Sequence, residues 1–134
     1  MNTAGLESRP GHYYYFYAMV CDFIYHLCQK ETWKEALKTG EFSGSELDLK
    51  DGFIHFSTAD QVAQTAESHL KGVEGLVLLK VPISLVTDSL KWEKSRDGKT
   101  FPHLYRTLKS IEVIDVTELQ LSGNNRHVIP ILDS

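Results

Sequence analysis

Short apolar runs interrupted by polar residues, with no long periodic stretch, organise this chain. Residues 23–28, Phe-Ile-Tyr-His-Leu-Cys, show no clean alternation. A short aromatic and apolar run of this kind predicts a central strand covered on both sides. A helix is expected directly after it. Thr32-Trp33-Lys34-Glu35 has the spacing of a capping box, in which the Thr hydroxyl and the Glu carboxylate satisfy donors that the first helical turn leaves unpaired. Trp33, Ala36 and Leu37 form its apolar face, and Gly40 supplies the stop. Residues 41–51 then read as a connection through Ser43-Gly44-Ser45, with Leu47 and Leu49 as anchors and an Asp51-Gly52 turn at its end.

Residues 53–57 predict a second strand. Thr58-Ala59-Asp60-Gln61 is a second capping box, opening a helix whose apolar stripe runs Ala59, Val62, Ala63, Ala66, Leu70 and which stops at Gly72. The Leu/Val run at 75–81, closed by Pro82, predicts a third buried strand, and residues 90–94 a fourth. Arg96-Asp97-Gly98-Lys99 turns the chain. Pro102 holds Phe101 extended and stiffens the backbone that presents His103 and Tyr105, and residues 111–121 alternate as a long final strand. Strands interleaved with two helices predict an α/β or α+β domain.

The 134 residues suffice for one domain around a single core, which we place at 23–121, with a disordered leader at 1–22 and a tail at 122–134. A net charge of -4 argues against general affinity for nucleic acid or for an anionic membrane. Lys91, Lys94, Arg96, Lys99, Arg106 and Lys109 cluster locally, broken by Glu93 and Asp97; they form either a solvated rim or a local phosphate contact. Cys21 and Cys28 belong to no disulfide framework, which points to a reduced, cytoplasmic chain. The hydrophobic stretch 13–27 is broken by Asp22, His26 and tyrosines and lacks a basic segment before it, so it resembles neither a secretory signal nor a membrane span. Its aromatic run, Tyr13-Tyr14-Tyr15-Phe16-Tyr17, carries no chemical pattern that we can assign.

Three histidines stand inside segments that otherwise read as buried strand or rigid turn: His26, His55 and His103. A half-buried imidazole must find hydrogen-bond partners, and its ordinary pKa near about 6.5 suits it to acid–base work. His55 and Ser57 share a strand face just before a helix, which would join an imidazole, a hydroxyl and free backbone N–H groups in a place suited to an anionic or hydroxyl-rich ligand. Alternatively Ser57 assists the cap and His55 is a satisfied core histidine. His26 and Cys28 also share a face, so a metal site completed by His55 or His103 is a further alternative; no metal is expected, because no recognised ligand spacing occurs. Phosphate-loop, dinucleotide and hydrolase-elbow motifs are absent too. His69 suits the last turn of its helix, and His12 and His127 fall in segments expected to be loose. Glu93, acidic within a strand, faces solvent, a cation or a site: it either pairs with Lys91 or Lys94 on the rim or stabilises developing positive charge on a sugar.

The order and spacing of Ile24-Tyr25-His26, Trp33 and Ala36, residues 51–58 (Asp-Gly-Phe-Ile-His-Phe-Ser-Thr) followed by Gln61-Val62, the Leu-Val-Leu-Leu strand, Trp92-Glu93, and residues 101–105 (Phe-Pro-His-Leu-Tyr) resemble the uncharacterised family known as domain of unknown function nine-five-two, over residues 23–119. That family is similar in fold to the ADP-ribosyltransferase superfamily, including the RNA 2'-phosphotransferases. The resemblance implies a split, mixed β-sheet with two short flanking helices and a cleft for NAD or an ADP-ribosylated intermediate. Residue by residue, it implies that His26 contacts the adenosine ribose, that His55, Ser57, Thr58 and Tyr105 bind ligand, and that Glu93 and His103 act near the nicotinamide ribose as charge stabiliser and acid or base. Arg106 stands where family members carry Gly. The expectation is an enzyme that transfers or hydrolyses at the ribosyl carbon of a small nucleotide-like ligand, with NAD as substrate. The alternatives are a non-catalytic nucleotide or phosphate-ligand binding module and a metal-dependent hydrolase built on His26, His55 and His103.

Overall fold

A computed structural model describes residues 21–95 and 98–134. Most of the expected leader, with the aromatic run and His12, lies outside the described residues, as do Arg96 and Asp97 of the expected turn. The class is α+β. Strand β1 (Phe23–Gln29) pairs antiparallel with β4 (Leu76–Pro82), which pairs in turn with β8 (Asp115–Glu118). A second three-stranded sheet places β6 (Thr100–Leu104) between β3 (Ile54–His55) and β5 (Leu90–Lys94), and β2 (Glu41–Phe42) pairs with β7 (Leu108–Lys109). A bridge between Tyr25 and Ser57 links β1 to the chain just beyond β3, so the two larger sheets meet edge to edge. Every ladder among the described residues is antiparallel, where the resemblance implied a mixed sheet.

β1 is covered on both sides, as its short aromatic and apolar sequence suggests. Ile24 and Cys28 pack with Trp33, Phe42, Ile54, Leu79 and Leu104 in the main core, while Tyr25 packs with Val62, Leu78 and Leu119 on the opposite face. Pro102 occupies the middle strand of its sheet without an N–H to donate. Its carbonyl accepts from Phe56 N–H at 3.0 Å, and the missing return bond falls where β3 ends.

The helices depart from expectation at their starts. Helix α1 (Lys30–Thr39) begins before the expected capping box: Gln29 is its N-cap, and Lys30 N–H is held by Gly75 O at 2.8 Å, so Thr32 and Glu35 already lie inside the helix. The expected connection at 41–51 contains a further helix, α2 (Glu46–Asp51), which makes three helices among the described residues rather than two. Ser45 and Asp48 form its capping box, while Leu47 and Leu49, expected as anchors, are exposed (54% and 65%). Helix α3 (Val62–His69) uses half of the second box: Gln61 accepts from Thr58 N–H at 3.0 Å, but the Thr58 hydroxyl turns to Asp60 at 2.7 Å. His69 takes its expected place in the last turn. The expected strand at 111–121 shortens to β8, because Glu112 is drawn into a 3-10 turn (Ser110–Glu112) by two 2.9 Å bonds from the Arg106 guanidinium and one from Lys109 N–H. Arg106 is therefore a clamp within the fold, not part of a free basic rim. His127, expected in a loose segment, donates to Val73 O at 2.7 Å.

Candidate functional site

Alternation along the second three-stranded sheet sends Ile54, Pro102, Leu104 and Leu90 inward, and leaves His55, His103, Lys91 and Glu93 on the outer face. Register makes the cluster: His55 lies opposite His103, which lies opposite Lys91 on the other side. Phe53 completes it, its ring stacked on His103 with centroids 4.1 Å apart and tilted toward His55 at 4.6 Å and Tyr105 at 5.1 Å. The two imidazoles meet edge to face at 5.4 Å.

Each imidazole is fixed through Nδ1 by a carboxylate. His55 Nδ1–H donates to Asp48 Oδ1 at 2.5 Å, and His103 Nδ1–H donates to Glu93 Oε1 at 2.9 Å. The environments differ. Asp48 is buried, and burial opposes its ionisation; the bond from His55, the nearby His26, and the N–H groups of Ser45 and His55 outweigh that and hold its carboxyl at about 2. The Asp48 hydrogen bond in turn raises the pKa of His55 above its ordinary value, against burial and with help from the charges of Asp48 and Asp51. Burial dominates at His103 and lowers its pKa, although Glu93 pulls the other way. Glu93 also accepts from the Tyr105 hydroxyl at 2.6 Å; that bond lowers the pKa of Glu93 and pushes the Tyr105 phenol up to about 12. Lys91 Nζ stands 4.6 Å from the centroid of the Tyr105 ring, adding a cation to this face.

His26 lies beneath the cluster. Its ring is buried between Phe42 and Phe56, its Nδ1–H donates to His55 O at 2.6 Å, and Nε2 faces Asp48 Oδ2 at 3.6 Å without a hydrogen bond. Burial lowers its pKa below the ordinary imidazole value, Asp48 and the carbonyl acting in the opposite sense. Ser57 and Thr58 are drawn elsewhere. Ser57 bridges to Tyr25 and so shares the Tyr25 face, its hydroxyl bonded to Thr65 of α3 at 3.0 Å. Thr58 borders a separate cleft of about 890 Å³, together with Gln61, Lys94 and Thr100 and with none of the described histidines. The Cys28 thiol, pushed up to about 12 by burial with Asp48 adding to it, stays protonated, and among the described residues no group of three or more His, Cys, Asp or Glu side chains could hold a metal ion.

The structure thus brings together His26, His55, Glu93, His103 and Tyr105, and leaves Ser57 and Thr58 outside. Sequence reasoning missed Asp48, Asp51 and Phe53. The signal for Asp48 was available: Ser45-x-x-Asp48 has capping-box spacing, and leucines two apart cannot share a helix face.

Several solved structures are similar to this chain. The crystal structure of protein CC0527 from Caulobacter crescentus matches with a TM-score of 0.76 and 40% sequence identity, over 79% of this chain and 93% of that one. A crystal structure of a double mutant of the same protein gives the same values. Its solution NMR structure matches with a TM-score of 0.71 and 41% identity, over 78% and 90% of the two chains. No curated protein matches. Residues 27–116 match the family model described as "Protein of unknown function (DUF952)", a match that runs from within β1 to within β8 and covers every residue of the imidazole cluster but His26, and the chain belongs to that family.

Proposed function

We propose that the outer face of the β3–β6–β5 sheet binds NAD or a related ADP-ribosyl compound, and that the protein transfers or hydrolyses at the ribosyl carbon. The observation that carries this reading is the convergence of Glu93 and His103 on His55, since a binding module needs no second carboxylate-fixed imidazole beside the first. Oppositely perturbed imidazoles are a pattern for dividing acid and base roles. His55, its pKa raised by Asp48, is the donor to a ligand oxygen. His103, with Nδ1–H committed to Glu93, keeps Nε2 free to take the proton of water or of an acceptor hydroxyl. The bond from the ribosyl carbon to its leaving group breaks with the electron pair departing on the leaving group. The ionised Glu93 then opposes the oxocarbenium charge left on the sugar, and the acceptor oxygen bonds to that carbon. Phe53 and Tyr105 offer aromatic surface for a base, and Lys91 an electrostatic partner for phosphate.

Calorimetry with NAD and ADP-ribose, paired with a turnover assay, tests this reading. His55→Ala should weaken ADP-ribose binding by about 1–3 kcal/mol. Glu93→Gln should keep binding and lose turnover, because the amide preserves shape and removes the charge. Both activities should survive a chelator. Binding without turnover in the parent protein would favour a non-catalytic nucleotide-binding module, and absence of both would sink the reading.

A further inference from the structure

The remaining ring nitrogen of His55 already has an anionic neighbour. Nε2 lies 3.0 Å from Asp51 Oδ2, while Nδ1 is committed to the buried Asp48. The two carboxylates differ in kind. Asp48 is enclosed and bonded to Ser45 and to the backbone of His55 as well as to its ring. Asp51 is a surface side chain, and its contact with His55 is an exposed ion pair of the sort that holds weakly and separates readily. Its position in the fold is electrostatically poor: Asp51 is the last residue of α2, where the helix dipole is negative and an acidic side chain is disfavoured. The imidazole is the favourable partner that the structure gives it, and a carboxylate oxygen 3.0 Å from Nε2 fills space that a phosphate or carboxylate oxygen of a ligand would take.

We propose that Asp51 is a built-in competitor: its carboxylate occupies the anion position on His55 Nε2, and a phosphate or pyrophosphate oxygen of the ligand binds by displacing it. This deepens the proposed function, resting on that reading for the ligand class, and it assigns Asp51 control of affinity rather than a share in the chemistry. Displacement is local. Asp48 still holds His55 oriented through Nδ1, and Lys91, on the same sheet face, remains to meet the incoming negative charge. The other titratable groups against His55 are the His103 ring and the buried His26, neither of which contributes negative charge. Asp51 swings out into solvent.

The test compares the full chain with Asp51→Asn, which removes the charge, and Asp51→Ala, which also removes the oxygen. Binding of inorganic pyrophosphate and of ADP-ribose is measured by calorimetry, and the imidazole nitrogen resonances of His55 are followed by NMR. Both variants should bind pyrophosphate more tightly by roughly three- to tenfold. In the parent protein, saturating pyrophosphate should move the His55 Nε2 resonance while leaving Nδ1 near its starting position. Unchanged or weaker binding in both variants overturns the competitor role. If the parent protein binds ADP-ribose and the variants gain nothing, the competitor falls and the ADP-ribosyl reading stands. A gain for pyrophosphate without measurable ADP-ribose binding in any form has the opposite consequence: the competitor stands and the ligand assignment falls. No binding of either probe by any form overturns both.

Discussion

A single carboxylate decides whether two histidines become a site. Asp48 receives four hydrogen-bonding contacts, from Ser45 N–H and hydroxyl and from the His55 backbone and ring, and His26 faces it from below. Removing it leaves those donors enclosed without an acceptor, so Asp48→Ala should destabilise the protein by about 3 kcal/mol in denaturant titration. The pH dependence carries the sign. Because the carboxyl is held at about 2 in the fold against an ordinary 3.8, its contribution is fully present above 3.8 and is lost as pH falls through about 2. Asp48→Asn should therefore trail the parent by about 2 kcal/mol at neutral pH, and the gap should close as the pH drops from about 4 toward 2. A gap independent of pH would mean that shape, not charge, is what Asp48 supplies. Between pH 5 and 8 no such clean signature is expected, since the depressed pKa values of His26 and His103 favour the fold as pH rises while the raised pKa of His55 favours it as pH falls.

Helix α2 is the element that places Asp48, and a glycine lets it do so. Gly44 has φ +96°, and a Cβ there would lie 2.5 Å from Asp48 Cβ and 2.6 Å from its Oδ2. Gly44→Ala therefore meets two obstacles, a backbone conformation that L side chains avoid and a collision with the carboxylate under His55. A loss of about 2–3 kcal/mol is expected, with altered His55 imidazole resonances in the protein that still folds; unchanged resonances would show that α2 adjusts without moving Asp48. This element was also the least legible in the sequence. The words around His26, His55 and His103 announced themselves, because polar rings in apolar runs are conspicuous, and the strand expected at residues 75–81 followed from continuous apolar character. In Glu46-Leu47-Asp48-Leu49 the usual preference is inverted: both leucines are exposed and the aspartate is enclosed. No hydropathy pattern encodes that, because what buries Asp48 is the set of donors brought from Ser45 and from β3. Ser57 was misjudged for a related reason. The ladder ends at His55, opposite His103 and next to Pro102, and beyond it Ser57 bridges to Tyr25 of β1 rather than continuing on the histidine face.

At the scale of the whole molecule, the two faces of β1 separate two tasks. The face with Ile24 and Cys28 builds the core under the imidazole cluster, whereas the Tyr25 face gathers α3, Leu78 of β4 and the returning C-terminal chain. That return is well anchored. Ile129 and Leu132 pack on the Tyr25 cluster, the Tyr25 hydroxyl donates to Asp133 O at 2.6 Å, Lys80 pairs with the Asp133 carboxylate at 2.6 Å, and Asp22 N–H donates to Ser134 O at 3.0 Å. Deleting residues 129–134 exposes apolar surface and orphans a tyrosine hydroxyl, losses that together amount to about 3 kcal/mol. For a chain of this size that corresponds to a fall in melting temperature of roughly 10 °C. An unchanged melting temperature would show that the returning chain adds nothing to the fold. The site should behave otherwise, because its hydrogen bonds lie elsewhere: His55 is tied to α2, and Glu93, His103 and Tyr105 to one another along the β5–β6 hairpin. Well below its melting temperature the truncated protein should keep the parent's ADP-ribose affinity and its pattern of histidine resonances. If affinity falls along with stability, the Tyr25–Ser57 bridge is transmitting strain from one face of β1 to the other, and the two sheets act as one unit in binding as well as in folding.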